Sequence, residues 1–258
     1  MFQYEPTLLT IVFVCVAGFI SAVVDSIAGG GGLIALPAVI AAGVPPHLAL
    51  GTNKFASSFS SFTSMLTFIK SKKIYFPLVK WQIPCTLIGA TIGARTVLGI
   101  DENYLKALIV ILIFAVALYT TFHKNFGVND NFVGLTKKNI IAGCIFAFTL
   151  GFYDGFFGPG AGTFLIFLFI SIYGFDFVQA AGNGKILNFT SNVSALVVFF
   201  LTGKILFVIG IPMAISMIIG ARVGTHIAIR NGAKIIKPIF ITIAVLLAAK
   251  MIYQAVTK

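Results

Sequence analysis

The sequence has few charged residues for its length, and this scarcity excludes most soluble folds. Of 258 residues, 10% are charged and 59% are hydrophobic, and the mean hydropathy is +1.04. A soluble domain normally carries roughly 25% charged residues to solvate its surface. Apolar runs such as 105–122 and 205–220 approach the roughly 20 residues with which a helix crosses a bilayer. Because they are continuously apolar rather than alternating, they predict membrane helices and not β-barrel strands.

Motifs that carry enzymatic or metal chemistry are missing as well. The chain has neither an HExxH motif nor a GxxxxGK[ST] phosphate-binding loop. Its three cysteines, Cys15, Cys85 and Cys144, lie in apolar stretches without CxxC spacing, and its histidines are scattered. We therefore expect no enzymatic activity, no metal site, no disulfide and no other cofactor.

The charge that is present is mostly positive, with 18 Lys and Arg against 7 Asp and Glu. These cations lie in short loops between apolar segments, a pattern typical of cytoplasmic loops rather than of a nucleic-acid surface. No nucleic-acid partner is therefore expected. The residues before the first apolar stretch lack Lys and Arg, so we expect no cleaved signal peptide and place both termini outside the cell membrane.

Apolar runs and chain breakers divide the chain into about ten segments, five on each side of a polar linker. The predicted segments are 8–26, 33–43, 47–69, 76–98, 104–122, 139–156, 161–173, 178–202, 205–226 and 235–256. Segments 33–43 and 161–173 are too short to cross a bilayer as helices, and the sequence leaves open whether they cross or re-enter. We predict an all-α, polytopic integral membrane helical bundle. Its parts are a first membrane repeat (1–122), a central linker (123–138) and a second membrane repeat (139–258).

The two halves repeat one another in the order of their aspartate, glycine and lysine residues. Asp154 follows Asp25 by 129 residues, and Lys185 follows Lys54 by 131 residues after a two-residue insertion. An ordered series of such matches indicates duplication. The lysine-rich loops fall at non-equivalent places in the two halves, which predicts that the repeats are inverted relative to one another.

Two glycine-rich breaks are the first candidates for a substrate-binding site. They consist of Gly29, Gly30, Gly31 and Gly32 in the first half, and Gly158, Pro159 and Gly160 in the second. Each break lies between a long segment and a short one, so its freed amides must face protein or water rather than lipid. Broken helices at matched positions of inverted halves indicate the midplane site of a transporter. The alternative is close helix packing through small residues.

Two lysines inside apolar segments, Lys54 and Lys185, are the second candidates, because an intramembrane lysine is costly and usually functional. Polar residues continue their helix faces, which adds to the predicted substrate-binding set Asn53, Ser57, Asn183, Asn188 and Asn192. The alternatives are lysines that reach the membrane interface or pair with an aspartate. Asp25 and Asp154, just before the breaks, are proton-coupling carboxylates, salt-bridge partners of the lysines, or helix caps.

The stretch GGGGLIALPAVIAAGVPPHLALGTNK at 29–54 resembles the sulfite exporter TauE/SafE family, also called TSUP. The stretches YDGFFGPGAGTF at 153–164 and KILNFTSN at 185–192 resemble its YfcA-like branch. This resemblance implies inverted repeats with eight to ten segments in the bacterial plasma membrane, and transport of sulfur-containing anions such as sulfite or organosulfonates. The expected partners are a small anion and the lipid bilayer, with a homo-oligomer left open. An anion channel or uncoupled permease is the alternative, followed by an intramembrane enzyme.

Overall fold

The computed structural model describes residues 5–102, 104–105, 107–109, 111–112, 130–132 and 134–231, and its regular structure there is helical. The helices are α1 (Leu8–Ala28), α2 (Gly32–Ala41), α3 (Pro46–Lys70), α4 (Phe76–Leu98), α5 (Lys137–Phe156), α6 (Ala161–Tyr173), α7 (Phe177–Leu201) and α8 (Phe207–Asn231). Described residues between 102 and 112 are helical too. The prediction of an all-α bundle is confirmed. The predicted segment 235–256 and most of 104–122 and of the linker lie outside the described residues.

Local sequence signals fix the ends of these helices close to their predicted positions. Pro46 occupies the first turn of α3, where its missing N–H and fixed φ are tolerated. Asp176 caps α7 by accepting hydrogen bonds from two backbone amides of its first turn. Gly29 ends α1 in the left-handed region, at a φ of +78°.

Four of the described helices are both long and apolar enough to cross a membrane, namely α1, α5, α7 and α8. Large apolar side chains such as Leu9, Ile145 and Ile219 are exposed on the outer faces of α1, α5 and α8. An apolar outer surface of this kind is matched by lipid rather than by water. The protein is therefore a multi-pass membrane protein. Helix α3 is 25 residues long but less apolar, because its inner face carries Asn53, Lys54 and several serines.

The two halves interlock, because the fourth helix of each packs along the first helix of the other, α4 on α5 and α8 on α1. A methyl group at Gly89 of α4 would lie 2.2 Å from the Phe148 carbonyl oxygen of α5. At the matching position of α8, a methyl group at Gly220 would lie 2.4 Å from the Phe19 carbonyl oxygen of α1. Reciprocal contacts of this kind are what a duplication requires. The opposite orientation of the halves in the membrane stays a prediction.

Candidate functional site

The two glycine-rich breaks lie against one another in the middle of the structure. A Cβ atom on Gly29 would lie 2.2 Å from the Gly162 carbonyl carbon, and one on Gly32 would lie 2.9 Å from Pro159 Cα. Thr163 Oγ1 donates a hydrogen bond of 2.8 Å to the Ala28 carbonyl oxygen. The glycines at 29, 32 and 162 permit this close approach, which brings the start of α2 against the segment that begins α6.

Lys54, on α3, forms an ion pair with Asp154, on α5, immediately beside this meeting point. Lys54 Nζ lies 2.6 Å from Asp154 Oδ1 and donates a further bond of 3.2 Å to Asn192 Oδ1. The second carboxylate oxygen, Asp154 Oδ2, accepts hydrogen bonds from Asn188 Nδ2 at 3.1 Å and from Ser191 Oγ. We call these five residues the Lys54 cluster. The side chains of its ion pair are only 2% and 3% exposed.

The backbone of the second glycine-rich break covers this ion pair. A Cβ atom on Gly158, whose φ is +98°, would lie 2.8 Å from Lys54 Nζ and 3.0 Å from Asp154 Oδ1. Any side chain at this position would therefore displace the lysine from its carboxylate. The break and the lysine, predicted separately from the sequence, belong to one structural unit.

Lys185, on α7, forms the reciprocal ion pair with Asp25, on α1. Lys185 Nζ lies 2.5 Å from Asp25 Oδ2. The lysine side chain is 3% exposed, whereas the aspartate side chain is 17% exposed. We call these two residues the Lys185 pair. In each pair the lysine comes from one half and the aspartate from the other, so both buried lysines of the described helices are neutralised across the interface between the halves.

Serines occupy the positions of α3 that match the asparagines of the Lys54 cluster. By the 131-residue offset, the positions that match Asn188, Ser191 and Asn192 are Ser57, Ser60 and Ser61. Ser61 Oγ donates to the Ser57 carbonyl oxygen within its own helix. Within the described part of the chain, Ser60 Oγ has no hydrogen-bond partner although the residue is 1% exposed.

An ammonium group, an amide and a hydroxyl together form a donor set suited to the oxygens of a small anion. In the Lys54 cluster all three donors bind the Asp154 carboxylate. Removing one partner of a buried ion pair leaves an uncompensated charge and destabilises a protein strongly. An anion can replace a carboxylate here only if the displaced charge is neutralised or moves to water.

The remaining predicted residues have different surroundings. Asn183 Oδ1 accepts a hydrogen bond of 2.8 Å from the Tyr75 amide, and its Nδ2 donates to the Gln179 carbonyl oxygen. Its polar atoms thus tie the start of α4 to α7. Asn53 is 4% exposed, and its Oδ1 has no hydrogen-bond partner among the described residues. Gly30 is the open position of the first break, since a Cβ atom there would meet nothing closer than 3.9 Å.

The sequence reasoning missed Ser191 and Ser60. Ser191 lies three residues after Asn188, so it shares the helix face that was already predicted to be polar. Comparison with its repeat partner, Ser60, would have identified both positions at once. Serine gives a weak signal in a membrane helix, because its hydroxyl commonly bonds to the backbone of its own helix, as Ser58 does with the Lys54 carbonyl oxygen.

Comparison with known proteins places these features in a family. A family model described as "Sulfite exporter TauE/SafE" matches residues 14–251. That range includes both breaks, both lysines and both aspartates. No solved structure gives a significant match to the chain.

Bacterial relatives match over almost their whole length and are named as probable membrane transporters. "Probable membrane transporter protein YfcA" of Escherichia coli K12 is 35% identical over 260 residues, covering 99% of this chain and 93% of the relative. "Probable membrane transporter protein ORF9" of Sinorhizobium sp is 38% identical over 247 residues, with 93% and 91% covered. A "Probable membrane transporter protein" of Haemophilus influenzae is 35% identical, with 96% and 95% covered.

Proposed function

This chain belongs to the TauE/SafE sulfite exporter family and is a membrane transporter, and on that premise we propose that it is a secondary transporter of small sulfur-containing anions. The substrates we propose are sulfite, organosulfonates or related compounds. The single observation that carries this proposal is the reciprocal pair of buried lysines, each held by an aspartate of the other half. Buried cations at an interface between two repeated halves suit an anion that binds there and is passed from one side to the other.

We propose that the substrate binds between the two breaks. The substrate-binding residues of this proposal are Gly29, Gly30, Gly31, Gly32, Asn53, Lys54, Ser57, Gly158, Pro159, Gly160, Asn183, Lys185, Asn188 and Asn192. Lysine and amide donors would form charge-assisted hydrogen bonds to the anion, and the N-termini of α2 and α6 would add their positive dipole ends.

Movement of one half against the other would give alternating access to this site. The Lys54–Asp154 pair and the touching breaks are buried, so we propose that an anion passes them only when the halves part. This closure favours a carrier over an open anion channel, which needs a continuous aqueous path. With no phosphate-binding loop in the sequence, we propose that an ion gradient or the substrate's own gradient drives transport.

The test is a thermal-shift screen of the detergent-purified protein. The panel contains sulfite, thiosulfate, sulfoacetate, isethionate and taurine, with sulfate, chloride and acetate as comparison anions. A ligand that binds only the folded state raises stability by about 2.7 kcal/mol at a hundred times its Kd. We expect a saturable shift with at least one sulfur anion and none with chloride.

Matched variants connect the shift to the proposed site. The double variant Lys185→Gln with Asp25→Asn removes both charges of one pair and leaves no uncompensated ion, so it should fold yet lose the shift. Lys70→Gln changes an exposed lysine at the end of α3 and should keep the shift. The proposal is wrong if no sulfur anion shifts the wild-type protein, or if the double variant responds like wild type.

A further inference from the structure

The two aspartates occupy matching positions but differ in how firmly they are held. The Asp154 carboxylate accepts hydrogen bonds from Lys54, Asn188 and Ser191. In the described part of the chain, the one donor to the Asp25 carboxylate is Lys185. The Asp25 side chain is also the more exposed of the two, at 17% against 3%. An ionised carboxylate is not stable against lipid, so its open side faces water.

An unused hydrogen-bond donor, the Ser60 hydroxyl, occupies the position of α3 that matches Ser191, the serine that donates to Asp154 in the Lys54 cluster. Ser64 Oγ, on α3, is 2.7 Å from Ser26 Oγ, and Ser26 directly follows Asp25 on α1. Ser60 lies one turn before Ser64 on the same face. Its hydroxyl is buried and without a partner among the described residues. A buried polar group of this kind is normally explained by a bound water or ion, or by a functional role.

Building on the proposed function, we propose that the Lys185 pair, with Ser60, is where the transported anion binds, and that Asp25 takes up a proton as it does so. The proton passes from water to an Asp25 carboxylate oxygen, and Lys185 exchanges its bond to Asp25 for a bond to an oxygen of the anion. No covalent bond of the anion forms or breaks. This narrows the proposed binding set, because Lys54, Asn188 and Asn192 belong to the Lys54 cluster, whose carboxylate is fully bonded, and then hold the halves together instead of contacting the anion.

The charge balance requires this proton. Lys185 and Asp25 together carry no net charge, and a monoanion that entered alone would leave a buried negative charge, which is costly. One proton bound by Asp25 restores neutrality. The site therefore carries one proton with each monoanion, and transport of a monoanion is an electroneutral symport.

Neighbouring ionisable groups on the described helices do not take this role from Asp25. The ionisable groups on the helices that contact α1, apart from Lys185, are Lys54, Lys70, His47, Tyr173, Asp176, Arg222, His226, Arg230 and, on α1 itself, Cys15. Lys54 is bonded to Asp154, and Tyr173 donates to the Asn139 carbonyl oxygen. His47 contacts Glu102, and the cations of α8 are exposed.

The test measures the affinity of the purified wild-type protein for isethionate and methanesulfonate, two monoanions whose charges do not change between pH 5.5 and 8.5. By thermodynamic linkage, affinity should fall about tenfold for each unit rise in pH over the range in which binding takes up one proton. Calorimetry in buffers of different ionisation enthalpy should report one proton taken up per anion bound. This readout needs no variant, so it stands even if a substitution prevents folding.

Three variants test whether Asp25 is the residue that takes up the proton. Asp25→Asn mimics the protonated carboxyl, so its affinity should stay at the low-pH value across the whole range. Ser60→Ala removes a donor that has no protein partner, so it should weaken binding severalfold and leave the pH slope unchanged. Glu102→Gln alters the His47 contact, away from the site, and should behave as wild type.

Different results would overturn the proton uptake by Asp25 and the proposed transport of organosulfonates. Binding that does not vary with pH, with no proton taken up, overturns the role of Asp25 and leaves the transporter proposal standing. A pH slope that persists in Asp25→Asn has the same consequence. The absence of binding by both anions at every pH overturns the proposed organosulfonate function, and this inference with it.

Discussion

In both the Lys54 cluster and the Lys185 pair, a lysine of one half contacts an aspartate of the other half. The two sites differ in how many hydrogen bonds the aspartate accepts and in how exposed it is. In the first, two oxygens of one carboxylate accept three side-chain donors and the ion pair is sealed from solvent. In the second, one lysine holds a partly exposed carboxylate and a buried hydroxyl is unused. The charges are matched between the halves, and the neutral residues around them are not. Helices α3 and α7 therefore place different neutral side chains at matching positions after their lysines.

The exchange of asparagine for serine accounts for this difference. Asn188 reaches Asp154 with a donor 3.1 Å away, and its counterpart is the shorter Ser57. In the described part of the chain, no side chain of α3 donates a hydrogen bond to the Asp25 carboxylate, which Lys185 alone contacts. We infer that the Lys54 cluster stabilises the interface, whereas the Lys185 pair is free to exchange partners.

The largest expected effect concerns the two carboxylates, Asp154 and Asp25. Asp154→Ala leaves Lys54 buried and unpaired, so it should lower the free energy of unfolding by about 3–5 kcal/mol. Asp25→Ala should lower it less, because water can reach the vacated position beside Lys185. Thermal unfolding of both purified variants measures the difference. Equal losses, or a larger loss in Asp25→Ala, would show that the two sites are equally structural.

The second effect concerns the contact between the breaks, on which both sites depend. Gly29→Ala introduces a Cβ at positive φ and within 2.2 Å of the Gly162 backbone, and should cost about 2–4 kcal/mol. Gly30→Ala, one residue away, meets nothing closer than 3.9 Å and should be tolerated. Expression level and melting temperature of the two variants test this. A destabilised Gly30→Ala with a stable Gly29→Ala would mean that the breaks do not touch as described.

The smallest expected effect concerns the hydroxyl groups of Ser191 and Ser60. Ser191→Ala removes a donor to the buried Asp154 carboxylate and should cost about 1–3 kcal/mol. Ser60→Ala removes a hydroxyl without a partner in the described structure, so stability should change by less than about 0.5 kcal/mol. The melting temperatures of the two variants, measured in the same detergent, provide the test. A loss in Ser60→Ala as large as that in Ser191→Ala would show that Ser60 is already bonded.

The sequence predicted the helices of this bundle because their ends carry strong local signals. Pro45 and Pro46 start α3, and Gly29 stops α1. The two lysines and two aspartates were also identified as candidate functional residues, since charged residues are rare inside apolar segments. Which aspartate meets which lysine was left open, because the pairing depends on how the two halves cross in space.

Asn183 shows the limit of reasoning from a polar stripe. It lies two residues before Lys185 and was predicted to bind substrate, which stays a proposal. In the structure, its side-chain oxygen accepts a hydrogen bond from the Tyr75 backbone amide, and its side-chain nitrogen donates one to the Gln179 carbonyl oxygen. An asparagine that secures the end of a neighbouring helix and one that binds an anion look alike in sequence, because the difference lies in a loop from the other half of the chain.

The most direct test of the account is counterflow of labelled isethionate and labelled sulfite into proteoliposomes preloaded with the same unlabelled anion. The account predicts saturable uptake of at least one anion that is accelerated by the internal anion, is lost in the Lys185→Gln and Asp25→Asn double variant, and is kept in Lys70→Gln. Uptake equal to that of protein-free vesicles would contradict it. So would a rate that rises linearly with concentration, or a double variant that transports at the wild-type rate.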